Sequence, residues 1–323
     1  MKHSTRWLAA LVVIPIALTG CTANGVKDAG TTGVASGEKA TIAVVTHGTA
    51  GDAFWDVVKS GAEQAGKDLG ATITYQGDGD PVKQSQLIDA AVASRPDGLI
   101  VSMANPDGVK GAVEKAVAAG IPVITINSGL EKSKEFGAQT HIGQSEFIAG
   151  QAAGEKLAAA GVKNAICVIH EAGNSGLEER CKGAADTLGG TMSNLQVDVA
   201  NLADTQNTIK SKLLADPSVD GVLTLNSSIA VAASQAVTEA KSKATLATFD
   251  VSADITTLIE DGKILFAVDQ QPYSQGYLPV VFLVLEKRNG DVVGGGQPVY
   301  SGPAFVTKEN AAKVAKFAKS GTR

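Results

Sequence analysis

Several polar side chains stand where apolar runs of this 323-residue chain end. Asn127 follows Ile124-Thr125-Ile126, Asn226 follows Leu225, Asp250 follows Phe249, and Gln270-Gln271 follow Ala267-Val268-Asp269. Amides donate and accept at once, and an ionised carboxylate accepts from two donors. The guanidinium of Arg180 presents a fixed fork of donors. These groups suit the holding of a molecule rich in hydroxyls, with no bond made or broken. Motifs of covalent or metal chemistry are missing: there is no Gly-x-Ser-x-Gly elbow, zinc signature or Walker A loop, so no metal or cofactor is expected. Gly77-Asp78-Gly79 and Gly294-Gly295-Gly296 do not complete a dinucleotide fingerprint.

The elements that must position these residues alternate. Apolar, β-rich runs predict strands at 41–46, 72–75, 98–101, 121–126 and near 141–142, then at 165–169, 195–199, 221–225, 246–249 and from 264. Helical spacing fills the intervals: 53–69, 82–93, 106–119, 145–160, 177–188, 205–214, 229–240, 255–260 and 273–287, the last opened by Pro272 at a first-turn position. Strands every 20–30 residues with helices between them indicate βαβ units and mainly parallel sheets. There are too many units for one compact sheet, which predicts two similar α/β lobes of doubly wound, Rossmann-like type. Ligands of open α/β sheets bind outside the carboxyl ends of the strands. The polar residues above stand at those ends, so two facing edges make a cleft closed by hinge bending.

Composition sets further bounds. A net charge of −5 with only 19% charged residues gives no basic footprint for nucleic acid. Aromatic residues are few, at 4%, so Phe54-Trp55 at the start of a helix stands out. Lys2, His3 and Arg6 precede an apolar run over 7–18, which reads as an export signal over residues 1–20. Leu18-Thr19-Gly20-Cys21 resembles a bacterial lipobox, which implies lipid on Cys21; two acyl chains anchor a protein stably. Residues 21–39, rich in Gly, Thr, Ser and Ala, read as a flexible linker. Outside the cell Cys167 and Cys181 either pair or remain two buried thiols.

Gln270-Gln271-Pro272 resembles the Gln-x-Pro hallmark of the class I periplasmic sugar-binding proteins of the ribose/galactose type. The strand-end series Asn127, Arg180, Asn226, Asp250 and Gln270 is specific to that family as a set, and the resemblance runs from Thr41 to the C-terminal region. It implies that these five contact a sugar and that Phe54 and Trp55 stack on its apolar C–H face. Thr46, His47, Ser128, His170 and, by a loose alignment, Asn201 are further expected contacts. Where relatives often carry Asp-Arg or Asn, this chain has Asn127-Ser128, and the departure from Asp-Arg puts ribose itself in doubt. Family analogy places hinge crossings near Gln144, Gln271 and Tyr300, with one lobe over 40–144 and 271–300 and the other over 145–270 and 301–323. It also implies a monomer that delivers a sugar or polyol to an ABC permease and its ATPase. The alternatives are a sensory receptor for a sugar-like signal and an exported carbohydrate-active enzyme.

Overall fold

The computed structural model describes residues 39–49 and 51–323; the expected export signal, the expected linker and Cys21 lie outside the described residues. The first half alternates β1 (Thr41–Thr46), α1 (Ala53–Leu69), β2 (Thr72–Gly77), α2 (Pro81–Ala93), β3 (Gly98–Ser102), α3 (Pro106–Ala118), β4 (Val123–Asn127), the short α4 (Leu130–Ser133) and β5 (Thr140–Gly143). The second repeats the pattern with α5 (Glu146–Ala159), β6 (Asn164–Ile169), α6 (Ser175–Leu188), β7 (Thr191–Gln196), α7 (Leu202–Ala215), β8 (Gly221–Thr224), α8 (Ser227–Glu239), β9 (Thr245–Phe249), α9 (Ala253–Glu260) and β10 (Ala267–Asp269). The chain ends through α10 (Pro272–Asn289), β11 (Val299–Tyr300), β12 (Ala304–Val306) and α11 (Ala311–Lys319).

Two six-stranded sheets result, ordered β11-β5-β4-β3-β1-β2 and β12-β10-β9-β8-β6-β7. All pairs are parallel except β12, which runs antiparallel to β10. Each sheet therefore carries the doubly wound order 2-1-3-4-5 once, with its switch point between the first and third strands of its half. Every residue of β3 and β4 is buried, as expected for parallel strands with helices on both faces. Two apolar clusters pack on the first sheet and two on the second, one per face.

The same close-packing device recurs in both halves. A Cβ on Gly276 of α10 would lie 1.9 Å from the Val58 carbonyl oxygen of α1, and one on Gly61 of α1 2.2 Å from that of Tyr273. In α5 and α6, a Cβ on Gly150 would lie 2.2 Å from the Arg180 carbonyl and one on Gly183 2.1 Å from that of Phe147. The Cys167 and Cys181 sulfurs are bonded, which ties α6 to β6.

The chain passes between the sheets three times: from β5 to α5, from β10 to α10, and from β11 to β12. The crossings meet in a polar knot. The Ser301 hydroxyl lies 3.1 Å from the Gly143 carbonyl and 2.7 Å from that of Gln270. Gln275 Nε2 donates to the Gln270 carbonyl at 3.0 Å and to Ser301 Oγ at 3.2 Å. The strand expected at 195–199 lies four residues earlier at its start, as the edge strand β7. The apolar run from Ile264 enters the sheet only at Ala267. No helix among the described residues is long and apolar enough to cross a membrane.

Candidate functional site

The carboxyl ends of the strands place polar residues from both lobes around one small cavity of about 30 Å³. β1 delivers His47, α1 delivers Phe54 and Trp55, and β4 delivers Asn127 and Ser128. From the other lobe come His170 and Glu171 after β6, Asn174 and Arg180 at the start of α6, Asn226 after β8, Asp250 after β9 and Gln270 after β10.

A chain of hydrogen bonds runs across the cavity from lobe to lobe. Ser128 Oγ donates to Asn127 Oδ1 at 2.9 Å, Asn127 Nδ2 donates to Gln270 Oε1 at 3.1 Å, and Gln270 Nε2 donates to Asp250 Oδ1 at 2.5 Å. All four residues are buried. Asn127 and Asp250 turn their side chains inward with left-handed backbones, φ 61° and 69°. Asn and Asp tolerate that region better than other side chains, and strained backbone collects at ligand sites. Burial pushes the Asp250 carboxyl up to about 7, against the pull of Arg180 and of the Gln270 hydrogen bond.

Arg180 is 3% exposed, so a surface pair with Glu178 or Glu179 is not its setting. Its Nε and Nη2 donate to the two carboxylate oxygens of Glu146 at 2.6 and 3.0 Å, and its guanidinium lies 4.6 Å from the centre of the Phe249 ring. A bidentate pair stacked on an aromatic face fixes the fork in the cavity wall.

Phe54 and Trp55 meet edge to face at 5.1 Å. Both line the cavity and both belong to the apolar cluster under β1. His47 stands at 4.7 Å against Trp55. Its Nδ1 is 2.7 Å from Ser102 Oγ, an atom that also accepts from the His47 backbone N–H. His47 Nε2 and His170 Nε2 each lie 4.0 Å from a Glu171 oxygen. Burial pushes the His170 imidazole down to about 4 and lowers that of His47.

Two expected contacts do not reach the cavity. Asn201 is exposed and caps α7, accepting from the Asp204 N–H at 3.1 Å, so its side chain is committed to a helix start and not to a strand end. Thr46 is buried one residue short of the edge, with its hydroxyl 3.3 Å from that of Tyr75. Asn226 does double duty, lining the cavity while capping α8 through the Ser228 N–H at 2.8 Å. Glu146 and Asn174 were missed by sequence reasoning. Gln144-Ser145-Glu146 reads as an ordinary helix start, and nothing local announces that its carboxylate turns inward to meet Arg180. Asn174 reads as a cap of α6, which it is. No cluster of three metal-ligating residues occurs among the described residues.

Two sheets of this order, with polar strand ends converging between them, define a two-lobe binding protein. A family model described as periplasmic binding protein domain matches residues 42–288, and the chain belongs to that family. Its sugar-binding relatives are transport proteins, not enzymes. A carbohydrate transporter from Acidothermus cellulolyticus, solved in complex with myo-inositol, is 44% identical with a TM-score of 0.87, covering 88% of this chain and all of that one. The D-apiose import binding protein of Paraburkholderia graminis is 28% identical over 98% of this chain and 99% of its own. The xylose/arabinose-binding protein of Sulfolobus acidocaldarius is 26% identical over 69% of this chain, and the match spans 60% of that relative.

Proposed function

We propose that this protein captures a neutral sugar or cyclic polyol by hinge closure and hands it to an ABC importer, held at the membrane by lipid on Cys21. The observation that carries this reading is the Ser128–Asn127–Gln270–Asp250 chain, which offers donors and acceptors from both lobes at one cavity. Vicinal hydroxyls donate and accept at neighbouring positions, which amides match on both counts. Phe54 and Trp55 supply an apolar wall for the C–H face of a ring, and Arg180, Asn226 and Asp250 complete the polar contacts. Arg180 is already neutralised by Glu146, so it acts as a hydrogen-bond fork and not as a free cation seeking an anionic ligand.

The lobes of this reading comprise 40–144 with 271–300, and 145–270 with 301–323, and the knot of Gln275 and Ser301 is the pivot. We rank cyclitols first among the candidates, a reading supported by the complex of the 44% identical relative with myo-inositol.

The test is a calorimetric and thermal-shift screen of a soluble form beginning at Lys39, which contains both sheets and all four apolar clusters. A ligand at about 100 times its Kd adds roughly 2.7 kcal/mol of stability. We expect myo-inositol or a related polyol to produce such a shift and to change the emission of Trp55, the one tryptophan after Trp7. A panel of cyclitols, pentoses and hexoses without a stabilising member would overturn the reading. Globomycin-sensitive processing of the full chain, lost in Cys21→Ser, tests the anchor.

A further inference from the structure

Beside the small cavity lies a second, larger one of about 630 Å³. It falls in the size range of small-molecule pockets, roughly 300–1,000 Å³. The two compartments share four residues: His47, His170, Glu171 and Asn174. They therefore adjoin along one wall, formed by the two imidazoles, the Glu171 carboxylate and Asn174. This outer compartment exists while the lobes are drawn together. Asn127 already reaches Gln270 across the cleft, and Ser175 of α6 donates its backbone N–H to the Ala104 carbonyl of the opposite lobe at 2.9 Å. In this arrangement the outer compartment measures about 630 Å³ against about 30 Å³ for the inner one, which must widen to admit a ring.

Its walls come from both lobes and set polar side chains among apolar ones such as Pro81, Val197 and Val199. Gln84 and Asn105 stand on one side, and Gln196 and Asp198 on the other. Carboxylates are present among the lining residues and Lys or Arg is not, so the electrostatics disfavour a phosphate or carboxylate substituent and suit a neutral, hydroxylated one. In the shared wall His170 is 6% exposed, and its Nδ1 has no hydrogen-bond partner among the described residues. A buried polar atom left unpaired costs free energy that a ligand hydroxyl or linking oxygen would recover.

We propose that the outer compartment is a second subsite, which accepts a neutral hydroxylated substituent. The ligands of this protein then include two-ring glycosides, with one ring in each compartment and the linkage passing His170. This rests on the sugar or polyol reading of the inner cavity and extends its substrate class.

The experiment titrates the soluble form with matched pairs: myo-inositol against an O-galactosyl-myo-inositol, and D-xylose against xylobiose. The expected result is that the two-ring member of at least one pair binds about tenfold more tightly, a difference of roughly 1.4 kcal/mol. Gln196→Ala and Asp198→Ala should then each shrink the ratio of the two affinities by about fivefold, the size of one lost hydrogen bond. That ratio is insensitive to general loss of folded protein. If single-ring ligands bind and every two-ring partner binds more weakly, the subsite is overturned while the inner-cavity reading stands. If neither member of either pair binds, and the wider panel of single polyols is also inert, the functional reading falls and takes the subsite with it.

Discussion

At the scale of single residues, the electrostatic centre of the site is Arg180 with Glu146, each 3% exposed. Removing one partner of a buried pair strands the other charge, which costs about 3–5 kcal/mol, whereas replacing both with apolar groups of similar volume costs far less. Glu146→Ala should therefore lower the urea midpoint sharply, and Glu146→Leu combined with Arg180→Met should restore most of it; equal losses in the two variants would contradict the pairing. Asp250 gives a second expectation, in pH. Burial raises its folded pKa to about 7, so the folded state keeps a proton that the unfolded chain has lost. Its contribution to stability is full below about pH 4, the unfolded value, and is lost as pH rises through about 7. His170, pushed down to about 4, works in the opposite direction over the same interval, so a single-site variant is needed to see either. Asp250→Asn should become more stable relative to the parent as pH is raised from about 5 to about 8, measured by thermal melts in matched buffers. Residues such as Asn127, Asp250 and Gln270 were legible in the sequence because an apolar run ends at each, and the chain geometry leaves such a side chain at the sheet edge. Glu146 was not, because its inward turn depends on α5 packing against α6, a contact 34 residues away in sequence.

At the scale of elements, the positions of α6 and α10 set those of the residues they carry. The Cys167–Cys181 bond holds α6 to β6 next to Arg180. It closes a loop with a sequence separation of 14, for which the chain-entropy model gives about 3 kcal/mol. The Cys167→Ala, Cys181→Ala double variant should lose roughly 2–4 kcal/mol in denaturant titrations. Gly276→Ala should cost about 1–3 kcal/mol or more, because its methyl would collide with the Val58 carbonyl and push α10 off α1. The alternation of long helices and fully buried strands was readable because periodicity persists over many residues, as in α1 and β3. The edge strand β7 was misplaced because its side chains are mostly exposed, and it lacks the apolar run that marks a central strand. β11 and β12, of two and three residues, carry no periodicity of their own. They are strands only because β5 and β10 offer them an edge.

At the scale of the whole molecule, the three crossings decide whether the lobes behave as one cooperative unit. Separate domains joined by a single linker unfold independently, and two-state behaviour then fails. Here each lobe is assembled from distant parts of the chain. α10 and β11 complete the first sheet's lobe only after the second sheet has been built, and β12 and α11 return to the second afterwards. The second lobe's β10 and the first lobe's α10 are consecutive, so melting either lobe pulls on a crossing held by Gln275 and Ser301. Trp55 lies in the first lobe and is the sole tryptophan of a form beginning at Lys39, so its fluorescence reports that lobe, while far-ultraviolet circular dichroism reports both. The expected outcome is that the two urea transitions coincide. Gln275→Ala removes a donor from two acceptors at the knot; the Gln270 carbonyl keeps the Ser301 hydroxyl at 2.7 Å, so the loss is about 1 kcal/mol, the net worth of one hydrogen bond. It should lower both curves together; fluorescence and dichroism curves that already separate in the parent protein would show that the hinge does not make the lobes one cooperative unit.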